Sequence, residues 1–181
     1  GAMYFLTGGR RLQSFLYRVD YTGKESTQGT ITSTPSKVQD KLRMIQKSRD
    51  LNTLWTTLAS TDRTLRYSAR VSLETLPVAS WAQRFKNTTD AQTIITGSIS
   101  IARNKGDRQL AITKLLSLDF TKLALTQQLE YLRATSLIFI RLGETDAATK
   151  AEFAQRLESS YPSPDTYLNR ELCRVLVYLD S

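Results

Sequence analysis

Asn169-Arg170-Glu171-Leu172-Cys173-Arg174 gathers the only thiol of the chain, two guanidiniums one helical turn apart and a carboxylate. A thiolate is a nucleophile, but it needs a neighbouring base or cation to form, and the sequence contains no histidine. Cys173 stands among Leu172, Leu176 and Val177, the setting of a small buried hydrophobe. The missing histidine also removes the commonest metal ligand and the usual axial ligand of haem, and one cysteine makes no metal-binding spacing. A Gly-rich phosphate loop is absent too. The expectation is therefore no catalytic, cofactor-binding or metal-binding residue, no cofactor, and a chain that is not itself an enzyme. Recognition by charge remains. Arg170 and Arg174 can meet an acidic partner, and Arg66 and Arg70, also one turn apart, extend this candidate interaction surface. Asp62 and Arg66 read first as a structural ladder, in which the cation pairs with the helix-start carboxylate one turn back or with the aspartate of a next repeat. Trp55 and Trp81 could stack on a base or a ligand, but tryptophans in paired helices are usually core. Arg10-Arg11 after Gly8-Gly9 could cradle an anion; a solvated turn is the preferred reading.

The 181 residues carry a formal net charge of +8. Residues 1–50 hold nine Lys/Arg against four Asp/Glu, so much of the excess is N-terminal, and the rest of the chain is close to balanced. A basic face can follow phosphates, but more often it is the solvated side of a helix. No apolar run approaches the ~18–20 residues needed to span a bilayer. The longest, Leu137 to Leu142, is interrupted by Arg141, so no membrane insertion is expected.

These side chains have to be positioned by helices. Residues 1–3 (Gly1-Ala2-Met3) read as the remnant of a cleaved expression tag. Within residues 4–23, Tyr4-Phe5-Leu6 and the alternating Phe15–Tyr21 run predict a β-hairpin turned at Thr7-Gly8-Gly9. Residues 24–34 are polar and aperiodic, a linker. From Thr34, a plausible N-cap ahead of Pro35, the pattern is helical. Helices are expected at 36–47, 50–59, 62–75, 77–87, 90–105, 107–118, 126–142, 146–159 and 165–179. Thr61, Thr89, Thr126, Thr145 and Ser163 are the expected hydroxyl caps, Asp62 is expected to cap N–H groups at its helix start with Asp107 and Asp146 opening helices in a similar way, and Gly106 is the expected left-handed C-terminal residue. In 126–142, Leu129, Leu132, Leu137, Ile138, Phe139, Ile140 and Leu142 nearly encircle the second half, so this helix should be sandwiched between neighbours. Short connections force consecutive helices into antiparallel hairpins.

The stretch Asp62-Arg63-Thr64-Leu65-Arg66-Tyr67-Ser68-Ala69-Arg70-Val71-Ser72-Leu73 resembles the second helix of a HEAT repeat. The fold class expected for residues 35–181 is thus mainly α, a HEAT-like α-α superhelix or helical-hairpin solenoid behind a small N-terminal β-hairpin. Four longer stretches, YFLTGGRRLQSFLYRV, DRTLRYSARVSLETLPVASW, LRATSLIFIRLGETDAAT and YPSPDTYLNRELCRVLVYL, resemble the central part of large bacterial c-type cytochrome proteins of the membrane-bound-dehydrogenase type. The resemblance covers most of the chain and is least diagnostic over residues 24–50. It implies an extracytoplasmic, periplasmic setting and a sugar-dehydrogenase-like propeller that ends in the Tyr4–Tyr21 hairpin. It further implies HEAT-like helices and a haem-binding cytochrome domain beyond them. The family's haem-attachment motif of two cysteines followed by histidine is absent here, so none of its catalysis transfers to a residue of this sequence. The expected function is a non-catalytic scaffold or spacer and protein-interaction module. Its partners would be the adjacent propeller and cytochrome domains, and the hairpin is a candidate for weak self-association. The alternative is a basic HEAT-repeat nucleic-acid-binding protein, disfavoured because residues 51–181 show no run of Lys/Arg facing one way.

Overall fold

The computed structural model describes residues 2–10, 12–26 and 36–180. Arg11, most of the expected linker, and the expected Thr34 cap with Pro35 lie outside the described residues. The chain forms two compact units, Gly1–Thr34 and Pro35–Ser181.

In the first unit, β1 (Ala2–Gly9) pairs antiparallel with β2 (Leu12–Asp20), with Phe5 opposite Tyr17 and Leu6 opposite Leu16. β-Branched and aromatic residues favour this extended backbone, and alternation sends Phe5, Phe15 and Tyr17 to one side. The Phe5 and Tyr17 rings stack with centroids 5.1 Å apart. Leu6 and Leu16, on the other side, are exposed.

The second unit contains nine α-helices among the described residues. They are α1 (Lys37–Lys47), α2 (Leu51–Leu58), α3 (Arg63–Leu73), α4 (Ala82–Asn87), α5 (Ala91–Arg103), α6 (Arg108–Leu116), α7 (Leu125–Leu142), α8 (Ala147–Glu158) and α9 (Thr166–Tyr178). The expected helix 77–87 is divided into a 3₁₀ turn, Val78–Ser80, and α4, with Trp81 at the junction. Asp62, Asp107 and Asp146 open helices as expected, whereas the hydroxyls expected as caps do not serve. Aspartates 50, 62, 90, 107, 146 and 165, not the neighbouring hydroxyls, accept the first-turn N–H groups, and Thr126 lies inside α7. A carboxylate is the stronger acceptor and also complements the helix dipole. The hydroxyls of Ser48, Ser60 and Ser163 sit two residues earlier, each accepting from the N–H of the capping aspartate at 3.2 Å. α1 opens instead with a capping box in which Ser36 and Gln39 exchange side-chain acceptors.

α1, α3, α5, α7 and α9 pack in succession, each on the next, forming one layer. α2 lies on α3 and α5, α6 on α5 and α7, and α8 on α9. One continuous core runs between these helices from Ile45 to Leu179. Trp55 and Trp81 belong to it, the latter fully buried with its ring edge-on to Phe85 at 6.4 Å. Gly97 on α5 makes room for that cluster, since a Cβ there would stand 2.6 Å from the Phe85 ring.

α7 carries two lessons. Tyr131, Leu132, Thr135, Ile138 and Phe139 are buried at helical spacing against α5, α6 and α9. Ile140, expected inside, is 76% exposed, and Leu137 and Leu142 are only partly covered. Ile140 falls off the i, i+3, i+4 stripe, so an apolar run is not an apolar face. At the end of α5 the left-handed residue is Lys105 (φ 53°), not Gly106. Gly106 sits close to the Ile101 side chain, which an added Cβ would approach to 3.2 Å. Among the described residues no helix is long and apolar enough to cross a membrane.

Candidate functional site

The α3–α5–α7–α9 layer bears an open groove of about 1120 Å³. Its walls come from the first turn of α3, the start of α5, the N-terminal two-thirds of α7 and the exposed side of α9. Five arginines reach it, Arg63, Arg66, Arg133, Arg170 and Arg174, against three carboxylates, Asp90, Glu130 and Glu171.

The floor is a hydrogen-bonded network tying three helices together. Arg66 Nη2 donates to Glu130 Oε1 at 2.8 Å, and Gln92 Nε2 donates to Glu130 Oε2 at 2.6 Å. Arg66 Nη1 also donates to the carbonyls of Ser60 and Thr61, at 2.8 and 3.0 Å, in the turn before α3. The expected Asp62–Arg66 ladder is therefore replaced. Asp62 Oδ1 accepts from the N–H groups of Thr64 and Leu65, leaving the guanidinium to reach across to α7. A side chain as long as arginine finds a better-fitting carboxylate on the packed neighbour than on its own first turn.

On α9, Glu171 Oε1 accepts from Arg170 at 3.0 Å and from Arg174 at 2.9 Å. The Arg170 guanidinium also lies over the exposed Tyr167 ring, 5.6 Å from its centroid. Asp90 caps α5 by accepting from the Thr93 N–H at 2.8 Å. All three groove carboxylates are thus occupied by structural partners.

Three of the four expected surface arginines share this groove; Arg70 does not. It pairs with Glu74 on its own helix and covers the Tyr67 ring at 5.1 Å. Glu74 also accepts from Arg103 at 2.8 Å, and that bond raises the Arg103 pKa. Cys173 is exposed on α9 rather than buried, because Leu172, Val175 and Leu176 occupy the inward stripe. Sequence reasoning missed Arg63 and Arg133. A signal was present in the spacing: Glu130 and Arg133 are three apart on α7, and Arg63 and Arg66 three apart on α3, so each pair shares a helix side. Which side faced which neighbour could not be read without the packing.

Among the described residues, no group of three or more His, Cys, Asp and Glu side chains could hold a metal. Compared with protein-family models, curated proteins and solved structures, the chain matches none.

Proposed function

We propose that the chain is a non-catalytic helical scaffold, a HEAT-like α-α superhelix that spaces neighbouring domains and binds protein partners across the α3–α5–α7–α9 layer. The observation that carries this reading is the groove, where five arginines converge and every carboxylate is engaged. A carboxyl group that acts as general acid or base must be free to exchange a proton with a substrate. Glu130 and Glu171 instead hold arginines in place, and Asp90 holds a helix end. Such an arrangement presents fixed donors along an open surface, which suits recognition.

On the resemblance described above, the neighbours would be a propeller and a cytochrome c domain of one extracytoplasmic protein. The test is a calorimetric titration of this chain with separately produced propeller and cytochrome segments of its parent gene product. A stoichiometric complex with at least one of them is expected. No complex with either sinks the reading. Tight binding to DNA, weakening steeply as salt rises, would favour the nucleic-acid alternative.

A further inference from the structure

We infer that the groove is a docking site for an acidic peptide segment, anchored on Arg63 and Arg133; this rests on the protein-interaction reading above and names its face and its partner's chemistry. Arg66, Arg170 and Arg174 are already paired, with Glu130 and Glu171. The side chains of Arg63 and Arg133 are exposed at the same groove and make no hydrogen bond, ion pair or ring contact among the described residues. An unpaired guanidinium is a planar fork ready for a carboxylate, and forming that pair breaks no internal contact. Five cations against three anions on a concave surface leave a positive potential, which draws an anionic chain in.

The remaining lining narrows the choice of anion. Leu129 and Leu137 are half-buried in the groove, and Tyr167 stands exposed at its α9 side. A segment with carboxylates spaced by apolar residues could lay its acidic groups on Arg63 and Arg133 and its apolar ones on the leucines. A polynucleotide carries a charge at every step, and Glu130, Glu171 and Asp90 would face part of that run with like charge. The peptide is the better complement.

The experiment is fluorescence anisotropy on the full chain with three probes: a labelled glutamate-rich peptide with spaced leucines, its glutamine-for-glutamate counterpart, and single-stranded DNA of random sequence. The variants are Arg63→Gln/Arg133→Gln and, as a charge-matched control on α1, Lys37→Gln/Lys41→Gln. Neither arginine has an internal partner, so the first variant should fold as the parent does. Expected is saturable binding of the glutamate peptide, weakened roughly tenfold by the arginine pair and by the glutamine counterpart, and unchanged in the lysine control. Equal binding to the parent and to Arg63→Gln/Arg133→Gln overturns the proposed face, while peptide binding itself leaves the scaffold reading standing. Failure to bind the glutamate peptide overturns the partner chemistry, and the titration with parent segments then decides the scaffold reading separately. DNA displacing the peptide overturns both.

Discussion

Aromatic side chains live in two different situations in this chain. In the hairpin, Phe5, Phe15, Tyr17 and Tyr21 are between 43% and 52% exposed. In the helical unit, Trp81, Phe85, Tyr131 and Phe153 are at 1% or less, although Tyr67 and Tyr167 on its surface are exposed. The residue types are alike; the layers available to cover them are not. Two strands alone make a single layer, and within the hairpin the Phe5 and Tyr17 rings cover each other. Nine helices supply several layers, and burial of large rings follows from their packing. Aromatic content alone therefore says little about where the stability of a chain resides.

The largest effects should come from emptying the helical core. Phe85→Ala, Ile138→Ala and Phe139→Ala should each cost about 2–5 kcal/mol, through lost transfer energy and the cavity left behind. Ile140→Ala, two positions beyond Ile138 on α7 but 76% exposed, should lie within about 0.5 kcal/mol of the parent. Urea unfolding of the four variants tests this. A comparable loss for Ile140→Ala would place the α7 stripe wrongly.

Gly97→Ala should come next. Alanine favours a helix over glycine by about 1 kcal/mol, but the new Cβ would stand 2.6 Å from the Phe85 ring, so overpacking of about 1–3 kcal/mol should win. Pairing it with Phe85→Leu, which shortens the opposing side chain, should recover part of the loss. Additive costs in that double variant would mean that the two sites are not coupled.

The contrast between these residues also marks what sequence could supply. Helix existence was legible, because apolar periodicity and turn residues are local signals that the packed structure merely enforces. Asp62, Asp107 and Asp146 were legible as helix openers, whereas the hydroxyl caps were displaced by a residue or two, since only the competition for the N–H groups decides between a hydroxyl and a nearby carboxylate. Ile140 was misread because composition near the end of α7 hides the stripe. The groove was half legible: Arg66, Arg170 and Arg174 stood out in their motifs, whereas Arg63 and Arg133 gain meaning only from α3, α7 and α9 sharing one layer. Arg70 lies outside the groove lining and pairs locally with Glu74 one turn away.

A smaller effect is expected on acidification. Asp50 and Asp146 have pKa values lowered from 3.8, mainly by hydrogen bonds from Thr53 and Thr149, and Asp119 likewise, mainly by the Thr121 hydroxyl. A depressed folded-state pKa stabilises the fold above the unfolded value, and that contribution is lost as pH falls through the lower folded value. Melting temperature should therefore drop as pH is taken below about 3.8. Asparagine caps helices about as well as aspartate without titrating. The Asp50→Asn/Asp119→Asn/Asp146→Asn variant should show a shallower acid-side fall than the parent. Superimposable pH profiles would remove these three carboxylates from the account.

The smallest change is expected where the opening contrast is sharpest, on deleting residues 3–24. The buried core cluster starts at Ile45 and ends at Leu179, so the deletion takes nothing from it. The hairpin's ladder runs between β1 and β2, and its Arg18–Asp20 ion pair is internal to β2. Helix α1 is started by Ser36 and Gln39, both of which remain. The helical circular-dichroism signal and the melting temperature of the truncated chain should therefore match those of the parent. Self-association, followed by analytical ultracentrifugation, should decrease. Unpaired strand edges flanked by exposed Leu6, Leu16 and Val19 are the kind of surface that recruits a second copy. A truncated chain that lost helix would show that those aromatics stabilise the helical unit after all, and the division between a packed unit and an open hairpin would not stand.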